Sequence, residues 1–540
     1  MNQPFATTLD PGSSLTNHTG SWRTERPVYV NRLPPCNNAC AAGENVQDWL
    51  YHAEAGEYRR AWETLTQENP MPAIMGRICY HPCESACNRG QLDVAVNIHA
   101  VERFLGDKAI SRGWTFNAPP ENGKHVLIVG SGPSGLSAAY HLRRMGHHVT
   151  ICDAQPAAGG MMRYAIPKYR LPRPVLDAEI ARIVAMGITL RLNTRIDDPV
   201  AEMTRGGYDA VYLAVGAQIA QRTSIPATDA KRILDALSLL REMEGPEPPR
   251  IGRRVLIYGG GNTALDAART VKRLGASEAI VVYRRTREAM PAHAFEVREA
   301  EEEGVQFRWL STIRKEEGTT FTVEKMELDS NGFPQPTGEL DKIDADALVL
   351  ALGQNVDLNF LKSIDGLSID KGVVTVDSGM MTGFPGIFAG GDMVPSERSA
   401  TASIGHGKKA ARNIDAWLRG STYVEPEKST LATFERLNTW YYSDAPKSVQ
   451  PLLEDARRCS TFEEVAGGLD RNSALYEARR CLSCGNCFEC DNCYGMCPDN
   501  AIVKLGPEQR FRINYEYCKG CGLCAAECPC GAIDMVLEQM

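Results

Sequence analysis

The chain has no apolar run near the ~20 residues a helix needs to cross a bilayer, so no membrane-spanning segment is expected. It also has no excess of basic charge. Lys and Arg number 59 against 67 Asp and Glu, and the net charge of −8 gives no electrostatic footprint for nucleic acid or for an anionic membrane. The opening residues MNQPFATTLDPGSSLTNHTG have neither the basic start nor the apolar stretch of a secretory signal. With cysteines at metal-binding spacings and no export signal, the expected location is the reducing cytoplasm. No solenoid repeat is visible. A single core is also excluded, because 540 residues exceed the ~250–300 at which chains divide into domains.

What the chain does have is 18 cysteines. Eight form a doubled run, Cys487-x2-Cys490-x2-Cys493-x3-Cys497-Pro498 and Cys518-x2-Cys521-x2-Cys524-x3-Cys528-Pro529. Zinc ribbons and disulfides are the alternatives, but zinc favours two separated pairs over four close thiols with a trailing Cys-Pro. The run resembles bacterial-type ferredoxins, in which three cysteines of each run bind one [4Fe–4S] cluster and the fourth crosses to the other. The resemblance implies one cluster on Cys487, Cys490, Cys493 and Cys528, and a second on Cys518, Cys521, Cys524 and Cys497.

Two strand–glycine–helix units lie in the middle of the chain. His125–Val129 reads as a buried parallel strand running into Gly130-Ser131-Gly132-Pro133-Ser134-Gly135 and a helix. Gly130 permits the turn, Gly132 the approach of a pyrophosphate, and Gly135 close helix–strand packing. The next strand ends at Asp153, an acid placed to accept from a ribose diol. The second unit runs from Arg254–Tyr258 into Gly259-Gly260-Gly261-Asn262-Thr263-Ala264, and its following strand ends in Arg284-Arg285. A guanidinium pair there suits the 2′-phosphate of NADP(H), although surface arginines are common and NAD(H) stays open. Spacing alone does not separate FAD from NAD at the first unit. No CxxC lies in either unit, so dithiol exchange is not expected, and no residue is expected to act as a catalytic acid, base or nucleophile.

Further segments carry a family resemblance. GGMMRYAIPKYRLP (159–172), IFAGGD (387–392) and YRRTREAMPA (283–292) resemble the glutamate synthase small-subunit family. That family includes the flavin-and-cluster half of dihydropyrimidine dehydrogenase and the large subunit of ferredoxin:NADP transhydrogenase. The resemblance implies FAD in the first fold, with Gly160, Arg170, Gly391 and Asp392 at the cofactor and Thr401 near its isoalloxazine. It extends over most of residues 32–108, where Cys36, Cys40, Cys79, Cys83 and Cys87 precede Glu102. One implied cluster takes Cys40, Cys79, Cys83 and Glu102; the plainer reading of Glu102 is a solvated helix-face carboxylate.

The family's other N-terminal cluster uses an upstream CxxC with the equivalents of Cys36 and Cys87, but here no cysteine precedes Cys36. YEARRCLSCG (476–485) resembles that missing motif at the opposite end of the chain. A composite cluster on Cys36, Cys87, Cys481 and Cys484 is therefore expected, within one chain or across a homodimer. The alternatives are that Cys481 and Cys484 are free thiols or bind a separate metal. Cys152, Cys459 and Cys530 are left over.

The expected architecture is multidomain α/β: a flexible N-terminus (1–25), a helical Fe–S domain (26–115), a FAD-binding domain in two parts (116–245 and 355–424) around a nested NAD(P)-binding domain (246–354), a helical connector (425–480) and an α+β 2[4Fe–4S] ferredoxin domain (481–540). The expected function is electron transfer between NAD(P)H and [4Fe–4S] clusters through FAD, in either direction, as a subunit of a larger complex or with a ferredoxin-type acceptor. A 2-oxoacid:ferredoxin oxidoreductase, a glutamate synthase large subunit and a ferredoxin are candidate partners. The alternatives are a true glutamate synthase small subunit, or a scaffold whose glycine turns are vestigial.

Overall fold

A computed structural model describes residues 18–538 apart from 222, 224, 227–232 and 363. It opens on a strand, β1 (Glu25–Tyr29), followed by a helical layer of α1 (Val46–Glu54), α2 (Tyr58–Leu65), α3 (Pro72–Ile78) and α4 (Ile98–Ser111). Apolar residues recur at helical spacing along α1, α2 and α4, so Trp49, Leu50, Leu65, Val101 and Leu105 meet in one core.

The two glycine units build two parallel sheets, one nested in the other. The first contains β2 (His125–Val129), which leads into α5 (Pro133–Arg144), then β3 (His148–Cys152), β4 (Thr189–Arg191) and β5 (Ala210–Leu213). The second contains β6 (Ile233–Asp235), β7 (Arg254–Tyr258) leading into α6 (Asn262–Arg273), β8 (Glu278–Val282), β9 (Gln306–Arg308) and β10 (Ala347–Leu350). The chain then returns to the first sheet as β11 (Ile387–Ala389) and α7 (Ala400–Leu418).

The strand orders are β11-β5-β2-β3-β4 and β9-β8-β7-β10-β6, parallel throughout. In each sheet the order reverses beside the strand that precedes the glycine turn, which opens a crevice at the strand ends. Short antiparallel strands, Ile219–Ala220 and Gln354–Asn355, carry the chain between the two folds.

Beyond α7 the chain returns to where it began. Helix α8 (Arg471–Arg479) puts Ala474 and Ala478 into the N-terminal helical core, and the last strand, β12 (Ile533–Leu537), pairs antiparallel with β1. Three expectations change here. The helical reading from Arg26 fails at its start, because the extended Arg26–Tyr29 is captured by β12. Of the flexible segment 1–25, residues 1–17 lie outside the described residues, whereas Gly20 N donates to Glu516 O at 2.9 Å and Arg23 Nη1 donates to Tyr515 O at 2.6 Å. The connector 425–480 is α-helical only at Asp455–Arg458 and α8, with single 3-10 turns at Phe434–Arg436 and Thr439–Tyr441. Pro426, Pro446 and Pro451 each remove a backbone donor, and the stretch between them lacks apolar periodicity. Among the described residues no helix is long and apolar enough to cross a membrane.

Helices α5 and α7 pack so closely that a Cβ on Gly407 would lie 2.3 Å from Ser134 O and 2.8 Å from Ala138 N. A helix-interior Gly→Ala change ordinarily stabilises by ~1 kcal/mol. Here the sign reverses: Gly407→Ala is expected to destabilise by about 1–3 kcal/mol as the helices are forced apart, read as a lower denaturation midpoint.

Candidate redox site

The first glycine turn lies at the floor of a long groove. Gly130, at φ +107°, turns the chain beneath Ala214, whose carbonyl would be 2.4 Å from a Cβ at that position. Pro133 opens α5, where its missing N–H costs no hydrogen bond. Gly135 packs against the turn itself, a Cβ there falling 2.0 Å from Gly130 O. Asp153, at the end of β3, accepts from Ser131 N at 2.7 Å, from Ser131 Oγ and from Gln155 N at 2.8 Å. It therefore fixes the shape of the turn that the sequence reading gave to the glycines alone.

The groove has two connected parts. One is lined by Asp153, Gln155, Thr194 and Phe360. The other continues past Gly132, Pro133 and Gly160 to Gly391, Asp392 and Ser403. Its wall is glycine backbone at the narrowest point: a Cβ on Gly160 would stand 2.8 Å from Gly132 Cα. Asp392 is held above its ordinary value by burial.

The same cleft reaches the second nucleotide fold through Asn262, Thr263 and Asp266, and the cluster domain through Ile78 and Tyr80. Asn262 Nδ2 donates to Tyr80 Oη at 2.6 Å, Asn262 Oδ1 accepts from His293 N at 3.0 Å, and the Tyr80 and His293 rings stack 3.7 Å apart. Nothing in the spacing of the sequence announced this contact.

Arg170 lines the cleft but is committed elsewhere. Its Nη1 donates to both Asp266 oxygens at 2.9 Å, and its Nη2 lies 2.5 Å from Glu296. Those two carboxylates push the buried guanidinium well above its ordinary value against the effect of burial. Arg284 and Arg285 stand outside this cleft: Arg284 is exposed, and Arg285 is half-buried with its guanidinium over the Phe333 ring. Gly259 and Gly261 shape the second turn, where a Cβ on Gly261 would meet nothing within 4 Å, and Ala264 is buried in the first turn of α6. Thr401, in the first turn of α7, donates to Met75 Sδ at 3.7 Å and lies close enough to Cys79 to act against the effect of burial on that thiol.

The cysteines converge in four sets, read from the thiols that act on one another. Cys83 lies near Cys40, Cys79, Glu84 and Glu102; Cys36 near Cys481, Cys87 and Cys484; Cys493 near Cys487, Cys490 and Cys528; Cys524 near Cys497, Cys518 and Cys521 and also near Cys493 of the neighbouring set. Glu102 is 6% exposed and accepts from Asn69 Nδ2 at 2.9 Å, so it is not a solvated helix-face carboxylate. Burial, then neighbouring Glu44 and Glu179, raises it well above the ordinary carboxylate value. Burial likewise pushes Cys79 and Cys484 up to about 12.

Buried groups of this kind ionise when a cationic centre compensates them. Among the described residues, only His81, Glu84 and His99 bring three such ligating atoms all within 4.8 Å of one another. Three thiols on one tetrahedral zinc, each ~2.3 Å from the ion, would lie closer than that. The wider thiol sets suit a larger polynuclear centre.

Residues 124–407 match the pyridine nucleotide-disulphide oxidoreductase family. The chain belongs to that family. Residues 16–114 match dihydropyrimidine dehydrogenase domain II with its 4Fe-4S cluster, and residues 486–532 a 4Fe-4S dicluster domain. The chain is 35% identical over 83% of its length to the NADP(+)-dependent formate dehydrogenase subunit beta of Moorella thermoacetica, covering 70% of that protein. It is 31% identical over 85% of its length to the NADPH-Fe(3+) oxidoreductase subunit beta of Geobacter sulfurreducens, covering 77% of it. It is 32% identical over 71% of its length to the glutamate synthase [NADPH] small chain of Escherichia coli, covering 89% of it. The protein is thus an FAD-type electron-transfer oxidoreductase, with Rossmann-like nucleotide folds between 4Fe–4S domains at both ends.

In this family member the two nucleotide folds are joined by a buried ion triad that the sequence reading missed, because Asp266 and Glu296 lie about a hundred residues from Arg170. Removing one partner of such a group leaves uncompensated charge. Arg170→Ala is expected to cost about 3–5 kcal/mol, seen in denaturant unfolding, with faster amide exchange in the strands Ile219–Ala220 and Gln354–Asn355.

Proposed function

We propose that this chain passes electrons between NADP(H) and a redox partner through FAD and four [4Fe–4S] clusters, as the nicotinamide-reactive subunit of a larger complex. Bound in the first groove, FAD would take the two electrons of a hydride and release them singly, as cubane acceptors require. Gly130, Gly132, Pro133 and Gly160 would face its pyrophosphate, Asp153 the adenosine ribose side, and Gly391 and Asp392 the ribityl end. The narrow glycine wall between Gly132 and Gly160 supports that fit.

Asn262 and Thr263, at the N-terminus of α6, face the same cleft and would present backbone donors to the nicotinamide nucleotide. Arg284 and Arg285 at the end of β8 would take a 2′-phosphate. The formate dehydrogenase, Fe(3+) oxidoreductase and glutamate synthase relatives all carry NADP in their names, which supports NADP(H) here.

The observation that carries the reading is the order of the thiol sets along short tethers. Cys79 adjoins Thr401 at the flavin end of the cleft. Its set shares the tethers Cys36–Cys40 and Cys83–Cys87 with the composite set of Cys36, Cys87, Cys481 and Cys484. Cys484 is three residues from Cys487, a reach of at most about 11 Å, and Cys493 is four from Cys497, at most about 14 Å. Each set is thus tied to the next from the nucleotide cleft to the last ferredoxin thiols. The composite set also requires that the two chain ends meet, as β1, β12 and α8 make them do.

Two measurements test the reading. Anaerobic NADPH titration should bleach the flavin band and reduce clusters in the same preparation; failure to reduce either would overturn it. Cys481→Ser/Cys484→Ser should lose about one quarter of the iron, one cubane of four, while flavin bleaching by NADPH persists. Unchanged iron would remove the composite cluster. As a check on the nucleotide, Arg284→Ala/Arg285→Ala should raise KM for NADPH by roughly tenfold to a hundredfold, the worth of charge-assisted hydrogen bonds, with little change for NADH.

A further inference from the structure

The two halves of the ferredoxin domain are built alike and differ at one matched position. In each, the crossing cysteine accepts from the amide four residues later: Ala501 N lies 3.2 Å from Cys497 Sγ, and Ala532 N lies 3.3 Å from Cys528 Sγ. Two residues after the crossing cysteine the halves diverge, Cys497-Pro498-Asp499 against Cys528-Pro529-Cys530. Cys530 is 2% exposed, and its sulfur lies 3.7 Å from Cys528 Sγ. A cysteine holding a cluster is a thiolate without a proton, so Cys530 is the donor of that contact. The matched Asp499 is 9% exposed and can only accept when ionised.

A second donor falls on the same set. Tyr29, on β1, places its hydroxyl 3.2 Å from Cys493 Sγ. Beside the Cys487 set, Asp491 pairs with Lys504 at 2.5 Å, and Glu489 and Arg510 carry opposite charge. Beside the Cys518 set, Lys519 pairs with Asp499 at 3.4 Å and Arg23 with Glu538. Ion pairs stand beside both sets, and Glu527 adjoins Cys528 as well, so the donors to sulfur are the matched difference between the halves. Such donors stabilise the more negative reduced cluster and raise its potential.

We propose that Tyr29 and Cys530 make the cluster on Cys487, Cys490, Cys493 and Cys528 the higher-potential member of the ferredoxin pair. This rests on the two-cluster reading of the domain above. Exchange between the pair then runs downhill inward, from the Cys518 set toward the composite set, so an electron from a low-potential partner is held at the inner cluster. Neither residue is a ligand; both tune one.

The test is a redox titration of the anaerobic full-length holoprotein followed by electron paramagnetic resonance. Cys530→Ala and Tyr29→Phe should each move the higher-potential C-terminal component downward, changing the exchange constant between the two clusters about fivefold, the worth of one hydrogen bond. Cys530→Ser should keep it near its original position. Where Cys530→Ala loses its cluster, Tyr29→Phe decides the matter, since Tyr29 is no ligand and lies on a different element. The proposal is overturned if, at unchanged iron content, the higher component stays in place in the first two variants, or if their shift falls on the lower one. Wild-type protein with no C-terminal cluster signals would instead defeat the two-cluster reading.

Discussion

The antiparallel pairing of Glu25–Tyr29 with Ile533–Leu537 holds the two ends of the chain together, and the order of the thiol sets depends on it. Where α8 meets the N-terminal helical domain, buried ion pairs stand beside the apolar contacts of Ala474 and Ala478. Arg480, 2% exposed, donates to Glu477 at 2.9 Å and lies 3.3 Å from Asp93, while Arg89 pairs with Asp93 at 2.7 Å and donates to Arg480 O at 2.8 Å. Arg32 adds an ion pair to Asp534 at 2.5 Å. Buried charges are costly when unpaired, so a network in which every guanidinium has a carboxylate tolerates few arrangements. An apolar interface could slide by a few ångströms. This one holds the segment that carries Cys481 and Cys484 beside the segment that carries Cys87, with Asn88 Nδ2 3.5 Å from Cys484 Sγ.

A different solution operates between the nucleotide folds. They are joined by two very short strands and held by Arg170 across to Asp266 and Glu296, with Tyr80 wedged against Asn262 and His293. Further contacts run beside the triad, with Arg173 3.0 Å from Glu244 and the Arg273 guanidinium 3.7 Å from the Tyr169 ring. The helix terminus that would meet a nicotinamide nucleotide is also where the cluster domain touches the second fold. Tyr80 follows Cys79 directly, so any shift of α6 reaches a thiol of the first set through one peptide bond.

Much of this was legible in the sequence, for local reasons. The strand–glycine–helix units declare themselves because turn, dipole and packing each demand a residue type at a fixed offset, and both turns fall at the crevices where the strand order reverses. The ferredoxin thiols are legible for the same reason. The expectation that Cys481 and Cys484 join Cys36 and Cys87 came from a shortage at one end, a surplus at the other and the likeness of YEARRCLSCG to the missing motif. The ion triad, the Tyr80 contact and the role of Asp153 in shaping its own turn depend on side chains brought together by tertiary folding. The connector misled because its charged, apolar-containing composition suits a helix, whereas its prolines and docking partners keep it extended along the surface.

Exposure along the chain of thiols gives a direction to the architecture. Cysteines of the first two sets are all partly shielded, while Cys490 and Cys521 of the ferredoxin domain are exposed. A shielded set in low dielectric exchanges electrons with its neighbours and not with molecules in solution, since outside reactants do not come close. An exposed ligand brings a cluster edge to the surface, where a partner can dock over it. In the ferredoxin domain solvent reaches Cys490 and Cys521, while Cys493, Cys497, Cys518, Cys524 and Cys528 are buried. The two ends of the path are separated by the same polar joint that unites the termini.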